Sequence, residues 1–164
     1  MAADRVPLEA SRSQRPGGLR ECVHPPPSTV LEATILVRRR ADAAAREGVQ
    51  KILRGEAEAM PRDQAEQALG ADSEDLQRTA DFAVEYGLAV SETNPARRMV
   101  RVSGTVPQME AAFGVKLCLM PGAAGYLYYE GVLTIPAALD GIVIGVLGLD
   151  QRPAAAQRCA PSER

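Results

Sequence analysis

The chain has 164 residues, long enough for one domain with a real core plus tails. Apolar residues make up 46% and charged residues 24%, a globular balance; aromatics are only 4% and Trp is absent, so the core has to be built from Val, Leu, Ile and Ala. A net charge of −2, from 19 basic and 21 acidic side chains, argues against the clustered basic excess of a nucleic-acid binder.

Residues 1–28 contain Pro7, Pro16, Gly17, Gly18 and the run Pro25-Pro26-Pro27 without periodicity, so they are expected to form a flexible leader. No signal-peptide pattern is visible in them. From Leu31 to Arg40 the alternation predicts a strand, with Ala33, Ile35 and Val37 on one face and Thr34, Leu36 and Arg38 on the other. Residues 41–70 are rich in Ala and Glu and read as helix, interrupted at Gly48 and Gly55, with Pro61 opening a second short helix. Ser73 is the expected cap of the next helix, with Glu74 and Asp75 in its first turn and Leu76, Ala80 and Ala83 along one stripe. Gly87 stops it in the left-handed conformation.

Leu88 and Val90 begin a second strand, and Asn94-Pro95 marks a turn. Arg98 to Ser103 returns as a third strand, with Val100 and Val102 on one face and Met99 and Arg101 on the other. Ser103 or Thr105 caps a helix whose stripe is Val106, Met109 and Phe113, and Gly114 ends it. Val115, Leu117 and Leu119 are expected as the fourth strand. Pro121 to Gly125 is a loop, and Tyr126–Tyr129 with Val132–Ile135 is expected as a small extra hairpin around Glu130-Gly131. Pro136 opens a turn. The apolar stretch 141–149 is buried but of open type, and is too short and Gly-rich to span a bilayer, so no membrane partner is expected. Residues 151–164 read as a flexible linker tail.

The order strand, helix, strand, strand, helix, strand predicts an α+β domain over 29–150. It is a ferredoxin-like, split β-α-β antiparallel sheet with helices on one face and the other face free. Ile35, Val37, Ala80, Ala83, Val100, Val102, Met109, Phe113 and Leu117 are its expected core.

No catalytic, cofactor or metal site is expected. His24 stands in the Pro-rich leader, where an incidental solvated residue is the ordinary reading, and a nucleophile's base has to be held rigidly. The spacings of Glu56 with Glu58 and of Glu74 with Asp75 do not put two carboxylates on one helical face. Ser103-Gly104-Thr105 and the glycines of 141–150 lack the remainder of a phosphate-binding pattern. Arg38-Arg39-Arg40 reads as the solvated end of a strand, with a contact to a partner as the minor reading. Cys22, Cys118 and Cys159 form no CxxC pair and are expected as free thiols, a bridge between Cys22 and Cys159 being possible without positive support.

Several strings in order resemble one family: TILVRRR (34–40), GADSEDL (70–76), FAVEYGLAV (82–90), RRMVRVSGTVPQMEAAFGV (97–115), YYEGVLTIPAAL (128–139) and VLGLDQRP (146–153), with RVPLEAS (5–11) fitting more loosely. Together they resemble the activation (pro-) domain of the prokumamolisin or sedolisin family of serine-carboxyl peptidases. The resemblance implies a non-catalytic domain that docks on, helps to fold and inhibits a sedolisin-type catalytic domain until acid triggers its removal. It places the family's catalytic Ser, Glu and Asp in a downstream domain and implies an exported precursor. The implied docking face is the free side of the sheet, Thr34, Leu36, Arg38, Met99 and Arg101, and the implied cleft-directed linker begins at Gln151, Arg152 and Pro153. Two other readings stay open: a standalone ferredoxin-like regulatory or ligand-binding domain, since this fold hosts many functions, and a remnant of a peptidase precursor.

Overall fold

A computed structural model describes residues 4–17, 21–40, 43–59, 61–122 and 125–153. In chain order these form β1 (Arg5–Pro7), β2 (Val30–Val37), α1 (Ala43–Leu53), α2 (Arg62–Leu69), α3 (Ser73–Glu85), β3 (Ala89–Asn94), β4 (Met99–Thr105), α4 (Val106–Phe113), β5 (Lys116–Leu119), β6 (Leu127–Glu130), β7 (Thr134–Pro136) and β8 (Val143–Leu147).

The alternating residues of β2 put Leu31, Ala33, Ile35 and Val37 on a buried face. Its neighbours are β4 on one side and β8 on the other, and the four-stranded sheet runs β3-β4-β2-β8 with every pair antiparallel. The chain therefore passes from β2 through helices to β3 with β4 left between them, and from β4 through α4 to β8 with β2 between them. That is the ferredoxin-like split β-α-β arrangement.

Its fourth strand is β8 and not the segment around Val115 to Leu119. That segment forms β5, which pairs with β6 in a separate two-stranded hairpin, while β7 pairs with β1. Residues 126–129 and 132–135 thus belong to two different small sheets instead of pairing with each other. The reason lies in partners supplied from elsewhere: Leu117 opposes Tyr129, and Val6 opposes Ile135. All three strands β5, β6 and β7 are an insertion between α4 and the closing strand.

Asp72, not Ser73, caps α3, its side chain accepting the Glu74 amide at 2.9 Å. Thr105 precedes α4, and Gln108 reaches back to accept the Thr105 amide at 2.8 Å. Gly114 ends that helix at φ +64°, and a Cβ there would stand 2.2 Å from Thr134 Oγ1, so the start of the insertion needs glycine. The helices lay Leu76, Phe82, Ala83, Met109 and Phe113 on the sheet, with the Phe82 and Phe113 rings 6.1 Å apart. Of the expected core, Ile35, Val37, Ala83, Val100, Val102, Met109, Phe113 and Leu117 are buried, and Ala80 is half-buried against them.

The leader departs most from expectation. Its described residues are tied down: β1 joins β7, Ser13 and Gly131 exchange backbone hydrogen bonds, and the Leu119 amide donates to the Val23 carbonyl at 2.7 Å. Cys22 is bonded to Cys118 across 96 residues, which corrects the expectation of free thiols; Cys159 lies outside the described residues. Composition predicted flexibility because Pro and Gly offer no local structure. The order comes from contacts with the insertion, which local pattern does not report.

Candidate functional site

On the face of the sheet opposite the helices, strand register sets the neighbours. One row reads Asn94, Met99, Leu36 and Gly145, and the next Glu92, Arg101, Thr34 and Leu147. Four of the five residues expected to share this face are thereby brought together. Thr34, Leu36 and Arg101 are half-buried, and Met99 is covered to 7% exposure by its neighbours. Arg101 is paired with Glu92 at 3.4 Å.

Arg38 does not join them. It follows the last residue of β2, and its guanidinium turns to the helical layer, where Nε donates to Asp75 Oδ2 at 2.7 Å and Nη2 to Oδ1 at 3.2 Å. The physical cause is Asp75, a buried carboxylate at 6% exposure on α3 that requires a cationic partner. Arg40 likewise reaches Asp72, at 3.7 Å, so two members of the arginine run serve the first turn of α3.

Sequence reasoning missed part of the apolar surface of this face. Leu147, opposite Thr34, is 57% exposed, and Val30, at the other end of β2, is 65% exposed. Ile144 is exposed and, with Leu36 and Leu147, lines a cleft of about 400 Å³ between β8 and leader residues 11–13. The missing signal was the assignment of 143–147 as the sheet's closing strand. With that assignment, alternation opposite Leu36 and Thr34 places Leu147 on the free face.

The three linker residues follow the same strand, just beyond Leu147. Gly148 turns the chain at φ +101°, where a Cβ would come within 2.6 Å of the Glu32 carbonyl oxygen. Leu149 is buried, and the Gln151 amide donates to the Leu127 carbonyl at 2.8 Å. Arg152 is not free: Nε donates to Asp150 Oδ1 at 2.8 Å, Nη2 to Ser13 Oγ at 2.7 Å and to Asp150 Oδ2, and Nη1 to the Gln14 carbonyl at 3.1 Å. Ser13 Oγ donates in turn to Asp150 Oδ2 at 2.9 Å. Burial works to raise the Asp150 pKa, but the hydrogen bonds from Arg152 and Ser13 prevail and hold it below the usual carboxylate range. Pro153 is exposed, and residues 154–164 of the expected tail lie outside the described residues.

His24 is exposed, as expected, but it is paired. Its Nε2 lies 2.9 Å from Glu110 Oε1, an oxygen that also accepts the Leu117 amide at 2.7 Å, which makes the pair a structural tie between leader and α4. Among the described residues no group of three or more His, Cys, Asp or Glu is placed to hold a metal, and no helix is long and apolar enough to cross a membrane.

Comparison with known proteins gives a consistent answer. The family described as Pro-kumamolisin, activation domain, matches residues 18–152. Kumamolisin of Bacillus sp. strain MN-32 is 33% identical over 87 residues, 52% of this chain and 16% of that protein. Tripeptidyl-peptidase sed5 of Aspergillus fumigatus is 24% identical over 165 aligned positions, 89% of this chain and 28% of that protein. The chain thus spans from about a sixth to a little over a quarter of the length of these relatives, and the family model that matches it describes an activation domain.

Proposed function

The chain belongs to the pro-kumamolisin activation domain family, and on that premise we propose that it docks on the catalytic domain of a sedolisin-type peptidase, assists its folding and inhibits it until acid-triggered removal. The match over 18–152 is the observation that carries this reading. The free face of the sheet supports it: Leu36 and Leu147, with Val30 and Ile144, give an apolar surface, and the Glu92–Arg101 pair adds a polar margin.

Burying such a face contributes about 25 cal/mol per Å² of apolar area before the costs of association are subtracted. A surface that binds only the folded peptidase stabilises that folded state by mass action, which is how a pro-domain acts as an intramolecular chaperone. Inhibition needs a second element, a chain segment leading from Gln151, Arg152 and Pro153 into the substrate cleft. Release in acid follows when carboxylates paired across the interface take up protons and lose their partners.

The test is titration of the chain against a mature peptidase of this family near neutral pH, reading binding and inhibition separately. Deleting residues 154–164 is expected to weaken inhibition while leaving binding. Leu36→Asp with Leu147→Asp is expected to weaken binding itself, because an unpaired charge would be buried against the partner. Leu147 is a better probe than Met99, which is already covered within the free domain. Binding that survives the double substitution but is lost with the tail would refute this docking face.

A further inference from the structure

The two ends of the described chain are joined by one side chain. Arg152 spends all three guanidinium nitrogens on a single junction: Nε and Nη2 on Asp150, Nη2 also on Ser13 Oγ, and Nη1 on the Gln14 carbonyl. Ser13 is 5% exposed and is held from behind, its amide donating to the Gly131 carbonyl at 2.8 Å and its carbonyl accepting the Gly131 amide at 3.0 Å. On the linker side the Gln151 amide is fixed to Leu127, and the Arg152 amide donates to Asp150 Oδ1 at 3.2 Å. Leader, insertion and linker root therefore meet at one polar knot. Ser13 and Gln14 lie upstream of the residues that the family match covers.

We propose that Arg152 is a positioning residue, a latch by which the leader fixes the place and heading of Pro153, the third residue of the expected linker. The fork geometry is essential to it. A guanidinium satisfies a carboxylate, a hydroxyl and a carbonyl in fixed directions, which an ammonium on a flexible stem does not. The fork bonds Ser13 and Gln14 on the leader side and Asp150 on the linker side, so removing it loosens both sides together. The consequence for a peptidase rests on the inhibitory reading above: a linker whose root is aimed loses less freedom on entering a cleft than one that is not.

The experiment uses the full chain with Arg152→Ala, Arg152→Lys and Ser13→Ala, followed by amide hydrogen exchange. In all three variants the amides of Ser13, Gln151 and Arg152 are expected to exchange at least about tenfold faster, while β2 and β4 keep their protection. Ser13→Ala makes the test independent of any folding defect of the Arg152 variants. Protection of Ser13 that is unchanged in Arg152→Ala, or fully restored by Arg152→Lys, would overturn the latch. In the second arm, with a mature sedolisin-type peptidase, Arg152→Ala is expected to weaken inhibition about tenfold with binding changed less than about threefold, since docking and linker aim are separate steps. Altered exchange with unaltered inhibition would overturn the positioning role. If the unaltered chain does not bind the peptidase at all, the docking reading fails, and the exchange arm still decides the latch.

Discussion

The central sheet and the layer around its rim share one apolar core but differ in the polar and covalent ties added to it. In the sheet, β2 and β4 pair over seven residues, and Ile35, Val100, Val102, Met109 and Phe113 are all at 0% exposure, so apolar burial does the work. The rim consists of two-stranded sheets only, β1 with β7 over three residue pairs and β5 with β6 over four, each too small to be stable alone. Leu117, Leu133 and Ile135 of the rim are buried as fully as the sheet's residues, and discrete polar and covalent ties fasten it further. Arg5 alone donates to Thr134 Oγ1 (2.9 Å), to Tyr86 Oη (2.9 Å) and to the carbonyls of Ala112 and Thr134 (both 2.6 Å), and its guanidinium lies 5.7 Å from the centre of the Tyr86 ring. Tyr129 Oη donates to the Ser11 carbonyl, the Leu133 amide to Ser11 Oγ, Arg15 pairs with Glu130, and the Cys22–Cys118 bond closes the far end. Strand pairs too short to stand alone are ordered here by burial together with specific bonds at the crossings, so the rim depends on single residues more than the sheet does.

That contrast can be broken experimentally, starting with the largest effect. Phe113→Ala is expected to cost about 3–5 kcal/mol and to lower the stability of the whole domain in one cooperative transition, measured by urea unfolding. A loss under about 1 kcal/mol would mean that α4 is not part of the sheet's core. Cys118→Ser, or reduction by a dithiol, is expected to cost about 2–4 kcal/mol because the bond closes a long loop in the unfolded chain. Limited proteolysis should then cut first within residues 12–25, with the sheet still intact. Simultaneous loss of leader and sheet protection would show that the rim is not a separate layer.

Arg5→Ala is expected to cost about 1–3 kcal/mol, because it leaves the Ala112 carbonyl and Tyr86 Oη without their partner. Hydrogen exchange should place the loss in β1 and β7. Equal loosening of β4 would contradict the division.

The sheet was largely legible in the sequence, since alternation in 31–37 and 99–103 and the stripes of α3 and α4 report local periodicity that burial then uses. Its closing strand is 143–147 and not the expected 115–119, because both are short apolar segments that only the sheet's register distinguishes. Arg38 was placed on the wrong side because alternation stops at Val37, and the need of buried Asp75, 37 residues away, decides the rest. The leader was illegible for a related reason. Its ties reach residues 81 to 139 positions distant, as with Arg5 to Tyr86 and Arg152 to Ser13, and no window of sequence contains both partners. Three cysteines permit three pairings, and spacing does not choose among them; geometry does.

The smallest expected effect concerns the acid sensitivity of the Asp150 knot. The groups facing Asp150 are Arg152, Ser13 and the Tyr129 hydroxyl, whose own pKa is raised, mainly by burial and further by the Asp150 charge. Because Asp150 is held below the ordinary carboxylate range, the ionised knot contributes its full stability above the pKa of the unfolded chain. That contribution is lost as pH falls through the lowered folded value, where the proton displaces Arg152. Asp150→Asn keeps the shape and removes the charge. The stability difference between the unaltered chain and this variant is expected to be about 1 kcal/mol or less at neutral pH, as for a partly solvated ion pair, and to close in strong acid. Comparing the two chains cancels the parallel loss at Glu130, whose pKa is also lowered, chiefly by its hydrogen bond with Arg15. Urea midpoints at several pH values between neutrality and strong acid give the curve. A difference that stays constant across that range would mean that Asp150 holds the knot by hydrogen bonding alone, so that acid would leave the rim as firmly fastened as the sheet.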